Sequence, residues 1–452
     1  MEPKKLSSFD ATLLVVGGIV GVGIFFNPSR IAAAVPDPAW YLGLWVFGAI
    51  VAVHAALVFA ELGAAYPQAG GWYVFLREAF GPFPAFLFAF VVLGVVSTGA
   101  SAVMMQICVQ NLCGIVPGVG PPDTTSGRVT GALILVLVTG LALLGVKAGA
   151  VLQNACTLIK LAAITALAAG AWLVFEPGSA PVVPPPPIPE GGLAAGAIRA
   201  LLPVFFAFGG WQMVCYIAPE VREPARTLPR AILIGIAIVA AAYLAINVGY
   251  LRVLGLGGLA ADPTFAGEVA RRTLGTTGGE ILRGAIGISA LGVCVVTLLT
   301  SPWLYVAMAR ERLFFESFGR LRPRTGAPAL ALVVQLVLAL AYWIWGGAEL
   351  LVDSVVFVEW IFHGLVAVAL LRLRNRPGVT WPFRSRFGAW AAWVYLATAI
   401  AIVAGNLAQI DVNAIVAGNF EEANLRAFAI GGGLLLLGAV IYRPWRNLVQ
   451  RS

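Results

Sequence analysis

Apolar stretches long enough to cross a membrane as helices, about 20 residues each, recur from one end of this chain to the other. Few charges fall inside them. In hydrocarbon every backbone amide and carbonyl must be paired within the protein, so only helices and closed barrels can span. A barrel would read as short alternating segments, and these runs are long and continuous. The expected fold is therefore an all-α integral membrane protein. Composition agrees: of 452 residues, 60% are hydrophobic and 11% charged, and the mean hydropathy is +0.91. A soluble chain of this length needs more charge to cover its surface.

Segmentation gives 12 transmembrane helices: 11–35, 40–65, 84–113, 128–146, 152–175, 196–218, 230–254, 281–309, 327–346, 350–372, 388–408 and 426–443. We expect one transmembrane domain over 1–452 and no soluble domain. A signal peptide at the N-terminus (Lys4, Lys5, an apolar run, then Ala32–Ala34) is not expected, because the run is long, interrupted and followed by more spans. With these spans, 20 Lys and Arg lie on the side of the termini, from Lys4 and Lys5 to Arg446 and Arg451. The other side carries seven, from Arg128 to Arg426. The positive-inside rule then puts both termini in the cytoplasm of a multi-pass protein of the cell (plasma or inner) membrane. The longest external loops are the stiff Pro-rich stretch Ala180–Glu190 and the segment Gly255–Glu280.

The net charge of +8 comes from short clusters between apolar runs, so no nucleic acid partner is expected. Cys108, Cys113, Cys156, Cys215 and Cys294 lie in or beside apolar segments and read as small core residues, not a disulfide framework. His54 and His363 are too few and too far apart for a metal cluster. No metal or cofactor is expected.

The first span contains Gly17, Gly18, Gly21 and Gly23 at mid-membrane depth, followed by Asn27-Pro28. Both features weaken a helix. One reading is a discontinuous helix whose exposed backbone lines a cavity; the other is close packing through small residues. The pattern alone leaves both open. The sixth span carries a second Gly pair, Gly209-Gly210, amid Phe205, Phe206, Phe208 and Trp211. Interruptions in spans one and six are what an inverted five-helix repeat predicts. Half-helix N-termini attract a carboxylate, and freed carbonyls accept from an ammonium. Two such breaks suit a zwitterion, most simply a free amino acid.

Lys160 sits about 12 Å into span five by helix rise, deep for snorkelling. An intramembrane charge defaults to a functional role. Its ammonium could do the job of a sodium ion by tying span one to span eight, with Thr297 and Thr300 as candidate partners. Glu359 and His363 lie four apart on one face of span ten, where they pair or relay protons. Glu61 reads as interfacial and His54 as a satisfied packing residue. Gln106, Gln110 and Asn111 form a polar stripe at the outer end of span three.

These residues carry a resemblance. The motifs are Gly17-Gly18-Ile19-Val20-Gly21-Val22-Gly23-Ile24-Phe25, Glu61 to Gly71 after span two, and Phe206-Ala207-Phe208-Gly209-Gly210-Trp211-Gln212. They continue with Glu220 to Pro229, Ala309-Arg310-Glu311 and Trp381-Pro382-Phe383-Arg384. In order and over residues 8–390, they resemble the amino acid–polyamine–organocation (APC) transporters, and within them the L-type amino acid transporter (LAT) group. The resemblance implies twelve helices in a LeuT-type 5+5 inverted repeat with helices one and six broken. Helices one to five would cover about 11–175 and helices six to ten about 196–372, with two more at about 388–443. It implies a substrate site at Gly18, Ile19, Gly21, Val22, Gly23, Phe206, Ala207 and Gly209. Amides at Gly21–Gly23 would take the carboxylate; carbonyls near Ile19, Phe206 and Gly209 would take the ammonium. Phe206 matches the aromatic gate, Lys160 the lysine that replaces the second sodium site, and Thr297 a nearby hydroxyl.

Four features depart from the family pattern. Val22 stands where Ser or Thr is usual, Pro302-Trp303 interrupts span eight, Arg312-Leu313-Phe314 replaces Gly-His-Leu, and the span-three proline is absent. The loop 114–127 has no cysteine, so no covalent heavy-chain partner is expected, and the chain is expected to act as a monomer. The implied activity is sodium-independent secondary transport of neutral L-amino acids, by exchange or proton symport. An amine, polyamine or cationic amino acid carrier is the alternative, with Glu359 its only plausible cavity carboxylate. An intramembrane enzyme would need clustered nucleophiles, acids or metal ligands, and a channel a continuous polar lining; neither pattern occurs, and the chain is not expected to be an enzyme.

Overall fold

The computed structural model describes residues 5–176, 178, 183–346, 348–407 and 425–451, with the side chains of 348–357, 425–428 and 451 outside that description. Among the described residues the chain is all-helical, with one isolated bridge between Leu6 and Val221. Among the described residues, seven helical segments are long and apolar enough to cross a membrane: Pro38–Ala65, Pro82–Leu112, Thr125–Leu143, Val146–Leu173, Pro224–Ala261, Thr276–Arg310 and Gly388–Leu407.

In chain order, the broken first segment forms α1 (Ser8–Ile19) and α2 (Asn27–Ala34), joined by a single 3₁₀ turn at Gly23–Phe25. Then come α3 (Pro38–Ala65), α4 (Trp72–Phe80), α5 (Pro82–Val91), α6 (Ser97–Leu112), α7 (Thr125–Leu143) and α8 (Val146–Leu173). The second broken segment is α9 (Gly192–Phe208) and α10 (Met213–Tyr216). After it follow α11 (Pro224–Ala261), α12 (Phe265–Leu274), α13 (Thr276–Thr300) and α14 (Pro302–Arg310). The last are α15 (Ala329–Trp345), α16 (Ala348–Leu373), α17 (Gly388–Leu407) and α18 (Leu425–Arg451).

The breaks follow the local sequence. Each half of the first segment is shorter than a membrane crossing, so the backbone between Val20 and Val22 lies inside the protein rather than at its surface. α1 is buried along most of its length, against α8, α11 and α13. Its start is capped by Ser7, whose hydroxyl accepts from the Asp10 amide while the Asp10 carboxylate accepts from the Ser7 amide, a reciprocal N-terminal cap. Pro28 sits in the first turn of α2, where its missing N–H costs nothing. Pro302 likewise opens α14, but Ser301 before it keeps helical backbone angles, so span eight runs on from Thr276 to Arg310 as one membrane-crossing segment.

Span three holds a π-helical turn at Val92–Val96 in place of a proline kink. Its freed carbonyls find other donors: Thr98 and Tyr342 hydroxyls reach Gly94 O at 3.0 and 2.8 Å. A bulge of this kind commonly marks a functional position in a helix.

Several boundaries differ from the sequence reading. α4 is an additional helix after span two, and α12 is a helix inside the long loop Gly255–Glu280. Its Glu268 carboxylate accepts from Arg271 Nε at 3.0 Å and Arg272 Nε at 2.5 Å. Desolvation pushes that carboxyl up, but these bonds outweigh it and hold Glu268 below the ordinary carboxylate range. The Pro-rich connector, of which 180–182 lie outside the described residues, lays the carbonyls of Val183 and Pro184 against Gly257 of α11.

Glu61, expected at the interface, is fully buried. It lies 3.2 Å from Arg374 and accepts from the Ser385 amide at 2.8 Å. The carboxylate thus pins the segment between α16 and α17 to the end of α3. His54 is satisfied within its own helix by Ile50 O at 2.7 Å. The exposed faces of α7 and α17 carry Leu133, Leu137, Trp390 and Trp393, side chains suited to acyl chains rather than water.

Candidate functional site

The two breaks meet. A methyl group built on Gly210 would lie 2.3 Å from Gly18 O, and Gly210 has φ +120°, a conformation only glycine adopts easily. Gly17 is just as tightly packed, with the Gln153 amide at its back. So Gly17, Gly18 and Gly210 serve close packing, and Gly21 and Gly23 line a cavity. The sequence left those two readings open; the structure contains both.

That cavity measures about 170 Å³. It is lined by all eight residues named from the family pattern: Gly18, Ile19, Gly21, Val22, Gly23, Phe206, Ala207 and Gly209. The side wall adds residues the sequence did not single out, among them Val96 of the π-turn, Met104, Val293 and Trp360. Glu359 and His363 complete it. Phe206, in the cavity wall, is 49% exposed.

The backbone at the first break is specific about which groups remain free. The Gly21 amide donates to Ile19 O at 2.7 Å, so it is not available to a ligand. Among the described residues the amides of Val22 and Gly23 donate to no backbone carbonyl. Ile19 O also accepts from Tyr243 Oη at 3.2 Å, which makes it a poorer acceptor than expected. Across the cavity α9 ends at Phe208, and a helix leaves its last carbonyls without intrahelical donors. Here only the Phe206 carbonyl is taken, by Gly209 N at 3.3 Å. One wall therefore offers N–H groups and the other C=O groups. Asn27 joins the walls: its Nδ2 donates to Pro203 O at 2.9 Å.

Lys160 is fully buried. Its Nζ donates to Gly17 O at 2.7 Å and Val20 O at 2.5 Å, the carbonyls that the end of α1 leaves orphaned. The contact with span eight is not the expected one. Thr297 and Thr300 donate to Val293 O and Val296 O of their own helix, at 3.0 and 2.8 Å. The hydroxyl that reaches the break is Ser289, two turns earlier in α13, which donates to Gly21 O at 3.1 Å. A short side chain in a helix interior bonds its own i−4 carbonyl by default, and sequence spacing could not say which of the three was close enough to do otherwise.

Glu359 and His363 do not pair. His363 Nδ1 is hydrogen-bonded to the Tyr395 hydroxyl. Its ring is packed among Trp72 at 4.6 Å, Trp360 at 4.8 Å and Trp211 at 6.2 Å. Among the described residues the Glu359 carboxylate has no hydrogen-bond or ion-pair partner.

Charged groups lock one end of the bundle, away from the cavity. Lys147 and Asn154 donate to Asp10 at 2.5 and 2.8 Å. Leu6 N donates to Glu220 O at 2.7 Å, and Arg222 N to Leu6 O at 3.0 Å. Arg77 pairs with Glu311. The opposite end opens into a wider hollow of about 550 Å³, lined by Phe25, Phe26, Gln110, Asn111, Glu268 and Arg283 among others. The polar stripe of span three thus faces this hollow through Gln110 and Asn111. Four cysteines are buried, and Cys113 is half-buried at the end of α6.

A family model described as amino acid permease matches residues 6–427. The human b(0,+)-type amino acid transporter 1 is 29% identical over 373 residues, covering 82% of this chain and 76% of that protein. The serine/threonine exchanger SteT of Bacillus subtilis (strain 168) is 28% identical, covering 82% of this chain and 84% of its own length. The human large neutral amino acids transporter small subunit 2 is 27% identical, covering 84% and 72%. These relatives are transporters, not enzymes.

Proposed function

The chain belongs to the amino acid permease family, and from that premise we propose that it carries neutral L-amino acids across the cell membrane without sodium, by exchange or proton symport. The observation that carries this reading is the pair of facing breaks: free amides at Val22 and Gly23 on one wall, freed carbonyls at the end of α9 on the other. An α-amino acid zwitterion presents the complementary groups. The carboxylate lies at Val22 and Gly23, where backbone N–H replaces the hydroxyl that Val22 lacks. The ammonium lies at the carbonyls of Ala207, Phe208 and Gly209. Phe206 closes over the substrate.

Sodium independence rests on Lys160. Its ammonium already occupies Gly17 O and Val20 O, the acceptors a cation would need. Ser289 shares that role, and Thr297 supports the helix that carries it.

In this reading the chain is a single transmembrane unit of twelve helices. Helices one to five and six to ten form inverted halves, and the last two helices follow them. Both termini are cytoplasmic, so the Asp10–Lys147 and Leu6–Val221 contacts close the inner end and the wider hollow opens outward. The serine/threonine exchange named for one relative favours small neutral substrates and antiport. We also read the chain as acting without a disulfide-linked partner, since the loop 114–127 carries no cysteine.

A second reading has one observation in its favour. Glu359 lines the cavity without a partner, and a cationic side chain, amine or polyamine would supply one.

The deciding experiment is uptake of a labelled amino-acid panel by liposomes containing the protein, with and without internal substrate, sodium and a pH gradient. Counter-flow of neutral amino acids without sodium is the expected result. A strict sodium requirement overturns the Lys160 argument, and uptake of polyamines alone overturns the zwitterion site.

A further inference from the structure

At the arginine-rich end, away from the central site, two cavities stand one above the other. The first, about 350 Å³, is polar: it is lined by Arg77, Glu78, Glu311, Arg312, Arg376 and Arg446. The second, about 300 Å³, is apolar: Phe86, Phe90, Leu93, Phe314, Leu338 and Trp445 are in its wall. The same three elements build both. On α5, Pro82 lines the polar cavity and Phe86, one turn on, the apolar one. After α14, Leu313 lines the first and Phe314 the second. On α18, Arg446 and Gln450 line the first, and Trp445 and Ile441 the second.

The charge of the polar cavity does not balance. Four arginines face two carboxylates. Arg77 pairs with both Glu78 and Glu311, and Arg376 with Glu78 at 3.2 Å. That uses both carboxylates. Arg312 and Arg446 have no acidic partner among the described residues, and both are exposed. Arg312 is also held at φ +55°, a conformation unusual for a non-glycine residue, so it is set in a tight turn beside Leu313. The junction between the cavities is firm. Trp445 Nε1 donates to Leu313 O at 3.0 Å, and its ring packs on Phe314 at 5.2 Å. A tryptophan at such a junction is typical of the level where headgroups meet acyl chains.

We propose that these two cavities are one binding site for an anionic glycerophospholipid of the leaflet at this end. The phosphate is held by Arg312 and Arg446, and one acyl chain lies between α5, α15 and α18. The arginines supply the selectivity. Guanidinium groups bind phosphate through paired N–H donors, and basic pockets between membrane helices bind anionic headgroups. The acyl chain gains little by leaving the bilayer for an equally apolar cavity; it fixes where the lipid sits. The bound lipid ties the last helix to spans three and eight. The proposal is independent of which substrate is carried.

The test uses the full chain, purified in detergent and exchanged into phosphatidylcholine nanodiscs. Native mass spectrometry counts lipid retained, and thermal unfolding reads its effect, after adding phosphatidylglycerol, further phosphatidylcholine or glycerol 1-phosphate. Phosphatidylglycerol is expected to be retained at least about tenfold better than phosphatidylcholine, the ratio that two charge-assisted contacts readily supply, and to raise the melting temperature. The double variant Arg312→Gln/Arg446→Gln is expected to lose that preference. Leu338→Trp, which fills the apolar cavity, is expected to lose retention with both arginines present. Equal retention of the two lipids by the unaltered protein overturns the proposal, and needs no variant to do so. So does an undiminished preference in the double variant. Equal stabilisation by glycerol 1-phosphate would mean a bare phosphate site, which also overturns it.

Discussion

Gly18 and Gly210 meet backbone to backbone, with room for no atom between them: a Cβ on Gly210 would stand 2.3 Å from Gly18 O and 3.0 Å from Ile19 N. This contact sets the spacing of the two half-helix ends that form the cavity. It explains why one glycine in each broken span is needed beyond any weakening of the helix.

Gly210→Ala therefore separates the two breaks. Strain at positive φ and the overlap should together cost about 2–5 kcal/mol. Uptake should fall by about a hundredfold, since misplacement of order 1 Å has that effect on a positioned site. Thermal unfolding and liposome uptake read the two effects separately. Uptake within threefold of the unaltered protein would mean that the contact does not shape the site.

Lys160→Met removes the donor to Gly17 O and Val20 O. Leaving these buried carbonyls short of a partner should cost about 1–3 kcal/mol, and transport should be impaired. Thr297→Val, by contrast, removes only a bond within its own helix and should leave uptake within about twofold. Ser289→Ala should fall between them. If Thr297→Val proved the more damaging of the hydroxyl variants, the assignment of Ser289 as the contact to span one would be wrong.

Glu359→Gln keeps the shape of the cavity wall and removes its charge. Neutral amino acid uptake should survive. Any uptake of lysine, arginine or a polyamine should fall by at least about tenfold, the loss of ~1.4 kcal/mol or more of charge pairing. A competition panel at fixed pH distinguishes these outcomes.

Asp10 gathers Ser7, Lys147 and Asn154 at the start of α1. A double-mutant cycle of Asp10→Asn with Lys147→Met should give a coupling energy of about 1 kcal/mol, as Lys147 is partly exposed. Asp10→Asn should also raise the accessibility of the N-terminal end of α1 to thiol reagents at an introduced cysteine. No change in labelling would remove this cluster from the closure.

Acid should loosen α12. Because Glu268 has a lowered carboxyl pKa in the folded protein, its bonds to Arg271 and Arg272 contribute stability above pH 4.5. That contribution is lost as pH falls through the folded value. Hydrogen exchange of 265–274, corrected for intrinsic rate, should show protection lost on acidification in the unaltered protein. In Glu268→Gln this pH dependence should be absent.

Much of the fold was legible in the chain because hydrocarbon is an unforgiving solvent. Runs such as 128–146 and 152–175 had to be helices, and α7 and α8 cover them with ends shifted by up to six residues. The cavity residues were legible for a related reason: glycines at depth in spans one and six, and a lysine in span five, are costly unless the protein uses them. α4 and α12 were not legible, since a short amphipathic helix outside the membrane obeys no such length rule. Nor was the burial of Glu61, whose partners Arg374 and Ser385 lie more than 300 residues away in the chain.

The sequence by itself determined that the chain is a membrane-spanning helical protein with glycine-weakened first and sixth spans and a lysine deep in the fifth. Tertiary structure alone decided which groups those features put in contact. It assigned Lys160 to Gly17 and Val20, chose Ser289 over Thr297, occupied the Gly21 amide with Ile19 O, and turned His363 to Tyr395 instead of Glu359. The reason is physical. Burial and helix length follow from residues taken one at a time, summed along the chain. A hydrogen bond across the bundle depends on differences of an ångström between helices that sequence spacing does not encode.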